Sequence, residues 1–114
     1  MLAEPEVIAL HDAYPLARGH TLVVPKSHVA SLFELPAADQ AALWKLVARV
    51  REHLQRELSP AGFTVGVNDG ATAGQTVPHA HIHVIPRWPG DVPDPRGGIR
   101  WVIPSKAAYW KTSA

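Results

Sequence analysis

Gly74-Gln-Thr-Val-Pro-His-Ala-His-Ile-His-Val-Ile-Pro86 is the stretch on which the reading of this chain turns. His79, His81 and His83 stand two residues apart, with Ala80, Ile82 and Val84 interleaved. A period of two belongs to a strand, because successive side chains of an extended backbone point to opposite faces. A strand from His79 to Ile85 gathers three imidazoles on one face and apolar side chains on the other. A helix would scatter the three around its circumference. Just upstream, Gly74-Gln75-Thr76-Val77 reads as a small polar loop that offers backbone N–H groups and a hydroxyl beside the imidazoles.

Working outward, Phe63 to Val67 reads as a strand with Phe63, Val65 and Val67 on one face, and Asn68-Asp69-Gly70 as a turn. Before it, Pro36 to Leu58 carries the long helical pattern. Leu43, Val47, Val50, Leu54 and Leu58 form one apolar stripe, and Ser59-Pro-Ala-Gly62 ends it. Pro36 suits a first-turn position, where its missing N–H costs nothing. Val7 to Leu10 and His20 to Val24 are two further short strands, and a helical turn is expected around Val29 to Phe33. Beyond the histidines, residues 87–98 are rich in proline and glycine and read as an irregular loop. Ile99 to Ile103 reads as a last strand or extended arm, followed by an aromatic tail with Tyr109 and Trp110. The expectation is one α+β domain over residues 1–114, with a mainly antiparallel sheet, one long helix packed across it, and a C-terminal arm over 99–114.

The totals bound the function. With 46% hydrophobic and 18% charged residues in 114, the chain has the composition of a folded domain rather than a disordered one. A formal charge of +1 gives no electrostatic footprint for nucleic acid. Cysteine is absent, which excludes disulfides, thiolate metal sites and a cysteine nucleophile. No apolar run has the length of a membrane span, and Met1-Leu-Ala-Glu-Pro5 lacks the pattern of a secretory signal. The expected location is the cytoplasm.

Three histidines on one strand face suit two tasks. Neutral imidazoles bind zinc, copper or iron, and one imidazole can act as a nucleophile while its neighbours orient it or carry protons. Spacing divides these almost evenly. The flanking loop favours phosphate chemistry, since glycines, an amide and a hydroxyl suit an anion and a metal site needs none of them. No Gly-Lys-Ser/Thr phosphate loop, serine nucleophile elbow or His-Glu-x-x-His motif is present. Asp12 alone reads as an Asx turn, and His20 alone carries little meaning.

Taken together, these residues resemble the histidine triad (HIT) hydrolases. The resemblance runs through His79-Ala-His-Ile-His-Val-Ile85, Gly74-Gln-Thr-Val77, Val67-Asn-Asp-Gly70, Arg18-Gly-His-Thr-Leu-Val-Val-Pro-Lys26 and His11-Asp12, in the family's order. It implies that His81 is the nucleophile, attacking the α-phosphorus of a nucleotide to give a nucleotidyl-histidine that water hydrolyses. It implies that His79 orients His81 through its backbone carbonyl, that His83 contacts the phosphate, and that His20 is the fourth site histidine. It implies that Asn68, Gln75 and Thr76 fall in the phosphate pocket, that Gly74 and Val77 are nucleotide-binding with them, and that Asp12 holds the ribose hydroxyls. The family further implies a purine nucleotide substrate, a homodimer that joins two sheets, and no required metal or cofactor beyond a divalent cation carried by a polyphosphate. Val67-Asn-Asp-Gly70 leans towards the nucleotide phosphoramidases, and Gly74-Gln-Thr-Val77 towards the dinucleoside polyphosphate hydrolases. A nucleotidyl transferase or phosphorylase uses the same intermediate, and a nucleotide-binding interaction module needs no turnover at all. Relatives usually carry more chain ahead of the first strand, where part of the base pocket is formed.

Overall fold

A computed structural model describes residues 2–111 of the chain. Four strands, β1 (Val7–His11), β2 (Thr21–Pro25), β3 (Gly62–Gly66) and β4 (Ile82–Arg87), form one antiparallel sheet in the order β1-β2-β4-β3. Helix α1 (Ala37–Leu58) connects β2 to β3 and lies across one face. Alternation along the strands decides which face that is. On β4, Ile82, Val84 and Pro86 are buried while His83, Ile85 and Arg87 are only partly so. Val7, Ala9, Thr21 and Val23 join the buried side, and α1 meets them with Leu43, Leu46, Val47, Val50 and Leu54. At about 1.5–3 kcal/mol for each large side chain fully withdrawn from water, this layer is the main source of stability. The opposite face holds Ile8, Leu10, Leu22 and Val24 beside His83, which pairs with Leu22 on one side and Gly66 on the other.

Pro36 sits one residue outside α1, as its N-cap. The helix stops at Ser59, which adopts φ 52° and donates its N–H to the Gln55 carbonyl. Gly19, in the turn before His20, holds φ +87°, and a Cβ added there would lie 2.7 Å from Leu58 Cδ1 and 3.1 Å from Leu54 Cδ2. Glycine is therefore required at that point both for its backbone conformation and for the close approach of turn to helix. The turn expected near Val29 to Phe33 is a short 3-10 segment, Leu32–Glu34, capped by the Ser31 hydroxyl.

Two expectations are corrected. Ile99 to Ile103 is not a strand: Gly98–Val102 winds as a 3-10 segment and α2 (Pro104–Ala107) follows directly. Gly97 and Gly98 both take positive φ, which breaks an extended path. Arg100 then closes the coil by donating to the Lys106 and Ala107 carbonyls. The second correction concerns the histidine strand, which begins at Ile82, so His79 and His81 precede it. Pro78 has no N–H to give a ladder. The N–H groups of His79 and Ala80 go instead to the Val77 and Val29 carbonyls.

Among the described residues no helix is long and apolar enough to cross a membrane. β3 and β1 are the sheet's edges.

Candidate active site

The sheet side of the site is built by the inner strand β4 and the three residues ahead of it. His81 Nδ1 donates to the carbonyl of His79 at 2.8 Å. A carbonyl only accepts, so the proton is fixed on Nδ1 and the lone pair is left on Nε2. The ring of His79 does not join the cluster. Its Nε2–H donates to the Pro25 carbonyl at 2.8 Å, and its Nδ1 lies 3.1 Å from His28 Nδ1 and accepts from it. His79 thus serves His81 through its backbone while its side chain anchors the turn to the end of β2.

His20 takes the place next to His83 that the sequence pattern offered to His79. The Leu16 N–H donates to His20 Nδ1 at 3.1 Å, so that nitrogen is unprotonated and the ring's proton sits on Nε2. From there it is donated to His83 Nδ1 at 2.9 Å. His83 must then keep its own proton on Nε2. One backbone amide therefore sets the tautomers of two rings. The His83 ring centroid lies 5.1 Å from that of His81 and 5.2 Å from that of His20. Burial is the largest effect on both His20 and His83 and lowers their pKa. For His83 the neighbouring His81 and His20 lower it further, and Asp12 opposes the shift in both.

Asp12 has two tasks. One carboxylate oxygen accepts from the Tyr14 N–H at 2.8 Å, the Asx turn, and the other lies 3.4 Å from His20 Nε2. Asp12, His20 and His83 together form the one group among the described residues whose donor atoms, all within 4.8 Å of one another, could hold a metal ion. His79 and His81, which the strand pattern grouped with His83 as possible ligands, are not in it.

In the loop, Gln75 is a staple. Its carbonyl accepts from Gly70 N–H at 2.8 Å, and its amide donates to the Ala30 carbonyl at 2.8 Å and the Val77 carbonyl at 3.0 Å. Gly74 turns at φ +99° with Asn68 alongside, and Asn68 and Thr76 are exposed. Val77, also exposed, lines a cavity of about 440 Å³ with Ile8, Leu10, Leu22, His79 and His81.

A family model described as HIT domain matches residues 1–90. The chain belongs to the HIT domain family. It is 42% identical over 80 residues to an uncharacterized 16.1 kDa HIT-like protein of Mycoplasma pneumoniae, covering 70% of this chain and 56% of that one. It is 37% identical over 89 residues to the bifunctional bis(5'-adenosyl)-triphosphatase/adenylylsulfatase FHIT of Arabidopsis thaliana, covering 78% and 49%. The crystal structure of the Caenorhabditis elegans NitFhit protein is similar with a TM-score of 0.76 at 38% identity, covering 81% of this chain and 22% of that one. The chain spans about half the length of the first two of these relatives.

Within this HIT domain the histidine pattern pointed to His81 and His83 and the family resemblance added His20 and Asp12, and the fold brings all four to one place. The pattern missed His28, a lone histidine after β2 that carries no local signal and gains its partner only when the turn closes on it. It also left the open face of β1 and β2 without a role, because residues on the site's side of a half-covered sheet look like ordinary alternation.

Proposed function

We propose that the chain is a nucleotide hydrolase that cleaves a nucleoside 5′-phosphoramidate or a dinucleoside polyphosphate at the α-phosphorus, with His81 as nucleophile. The observation that carries this reading is the 2.8 Å bond from His81 Nδ1 to the His79 carbonyl, which leaves Nε2 free to attack. The Nε2 lone pair forms a bond to phosphorus as the bond from phosphorus to the leaving group breaks, and the leaving group departs with that electron pair and takes up a proton. Because Nδ1 keeps its own proton, the nucleotidyl-histidine is cationic, and the His79 carbonyl faces that charge. Water then displaces the imidazole, releasing the nucleoside monophosphate and free His81.

The neighbours support each step. His83 presents an Nε2–H donor where charge develops on the phosphate, and His20 holds that tautomer in place. The loop carrying Gly74, Gln75, Thr76 and Val77, stapled by Gln75, brings backbone amides and the Thr76 hydroxyl to the same phosphate, with Asn68 alongside. The apolar cavity over Ile8, Leu10 and Leu22 has the size and lining of a small-molecule site and takes the base, while Asp12 reaches the ribose hydroxyls. A purine nucleotide is the substrate this reading names. The similarity to the bis(5'-adenosyl)-triphosphatase/adenylylsulfatase of Arabidopsis thaliana supports the reaction class. We assign no required metal. The free edge of β3 supports a homodimer in which two sheets are joined.

Release of AMP from adenosine 5′-phosphoramidate and from diadenosine polyphosphates tests this, with and without chelator. The expected result is chelator-resistant turnover that drops by at least about a thousandfold in His81→Ala. Activity removed by chelator and restored by zinc would favour instead a metal centre on Asp12, His20 and His83. A nucleotide bound without turnover would leave an interaction module.

A further inference from the structure

The turn that carries the nucleophile is held from outside the site by one connector, Pro25 to Ala30, which leads from β2 towards α1. Three of its carbonyls receive bonds from residues 75–80. Pro25 accepts from His79 Nε2 at 2.8 Å, Val29 from the Ala80 N–H at 2.7 Å, and Ala30 from the Gln75 amide at 2.8 Å. The bond to Val29 bears directly on His81. A peptide unit is planar, and in its trans form the C=O and N–H point opposite ways. The unit joining His79 to Ala80 therefore cannot turn its carbonyl away from His81 Nδ1 without lifting the Ala80 N–H off Val29. That bond also polarises the unit, which strengthens the His79 carbonyl as an acceptor.

His28, the residue before Val29, supplies a bond that runs the other way, from connector to turn. The His79 ring gives its proton to the Pro25 carbonyl, so its Nδ1 is an acceptor and His28 Nδ1 is the donor across the 3.1 Å between them. The two ring centroids lie 5.2 Å apart with their planes tilted by 55°, so the rings meet through these nitrogens rather than by stacking. His28 is exposed, and the contact buries little surface. Its effect is on position. It ties the His79 ring to the connector at the residue next to Val29, whose carbonyl aims the peptide unit that His81 reads. Side chains that lock one another by hydrogen bonds hold a reacting group to a fraction of an ångström, which packing at an exposed turn does not.

We propose that His28 is a positioning residue for the nucleophile: its Nδ1–H, received by the His79 ring, keeps the connector in register with the turn, so that the His79 carbonyl holds His81 in the tautomer whose Nε2 is free to attack. The inference rests on the hydrolase reading and adds a second relay to it. Leu16 fixes His83 through His20, and His28 fixes His81 through His79. Without the donor at position 28 the His79 carbonyl loosens, and His81 spends part of its time with the proton on Nε2, where it has no lone pair for phosphorus. Groups that bind the nucleotide are untouched. The loss therefore falls on kcat and not on KM.

The test compares His28→Asn with His28→Leu, two side chains of nearly the same size and shape, of which only Asn carries an N–H near the place of His28 Nδ1. With adenosine 5′-phosphoramidate as substrate, His28→Leu is expected to lower kcat about ten- to a hundredfold with KM within about twofold of the wild type. His28→Asn is expected to keep kcat within about threefold. Long-range nitrogen–proton NMR of the free enzyme reads the His81 tautomer directly. The Nδ1–H form is expected in the wild type and His28→Asn, and a mixture with the Nε2–H form in His28→Leu. Equal kcat in the two variants, whether kept or lost, overturns the proposal. So does a difference carried by KM, or a loss in His28→Leu with His81 still in its Nδ1–H form. The NMR readout does not depend on turnover. A tautomer that follows the donor at position 28, in an enzyme that releases no AMP, keeps the positioning and removes the hydrolase; AMP release with a tautomer indifferent to position 28 does the reverse.

Discussion

His20 is only 2% exposed, and its ring joins a backbone amide on one side to His83 on the other. A buried imidazole with an N–H aimed at its Nδ1 resists protonation twice over, through lost hydration and through the clash of two donors. The unfolded chain has no such restriction and binds a proton near pH 6.5, the ordinary value for a solvated histidine. Below that pH the unfolded state therefore holds more protons than the folded one, so stability is complete above it and falls as the pH drops towards the lowered folded-state values of His20 and His83. Urea midpoints are expected to decrease between pH 7.5 and 5.5, and to decrease less in His20→Asn. Equal slopes in the two proteins would disprove the linkage. Long-range nitrogen–proton NMR at pH 6.5 should show His20 predominantly as its Nε2–H form, at a pH where a solvated histidine is half protonated.

Elements were legible in the sequence where one period dominates. The strands and α1 lie close to the positions that alternation and the apolar stripe give them, because one face of each packs on the core and that packing enforces the pattern. Leu46 escaped the stripe, being one residue before Val47, yet it is fully buried, since a core-facing helix is covered over a wider arc than a single line of residues. Leu46→Ala is expected to destabilise the fold by about 2–5 kcal/mol in chemical denaturation, while the exposed Ala48→Ser should stay within about 0.5 kcal/mol. Gly19→Ala adds a different cost at the junction of turn and helix, where φ and the Leu58 contact both oppose a methyl group. It should lower stability by more than about 1 kcal/mol. The C-terminal segment was not legible because its coil depends on Arg100 reaching carbonyls six and seven residues ahead. The tautomer chain was not legible for a similar reason, since it needs Leu16, His20 and His83 in one place.

For the whole molecule, the two edges of the sheet are unequal. β1 is bridged by Ala3, whereas among the described residues β3 has no strand partner on its outer side. Joining two copies there predicts a sedimenting species of twice 12.4 kDa, and a proline at Val65 should return it to the monomer if the edge is the interface. A monomer at all concentrations for the wild type would remove the dimer. The strand order has another outcome. His20 and His83 are 63 residues apart, and β2 meets β4 only after the chain has passed through α1 and β3. Closing so long a loop is slow, and local helix formation runs ahead of it. During synthesis and during refolding, the helix therefore forms before the histidines have met. The pairing of His20 with His83 waits for β4, and a shortened chain lacking β4 cannot form it.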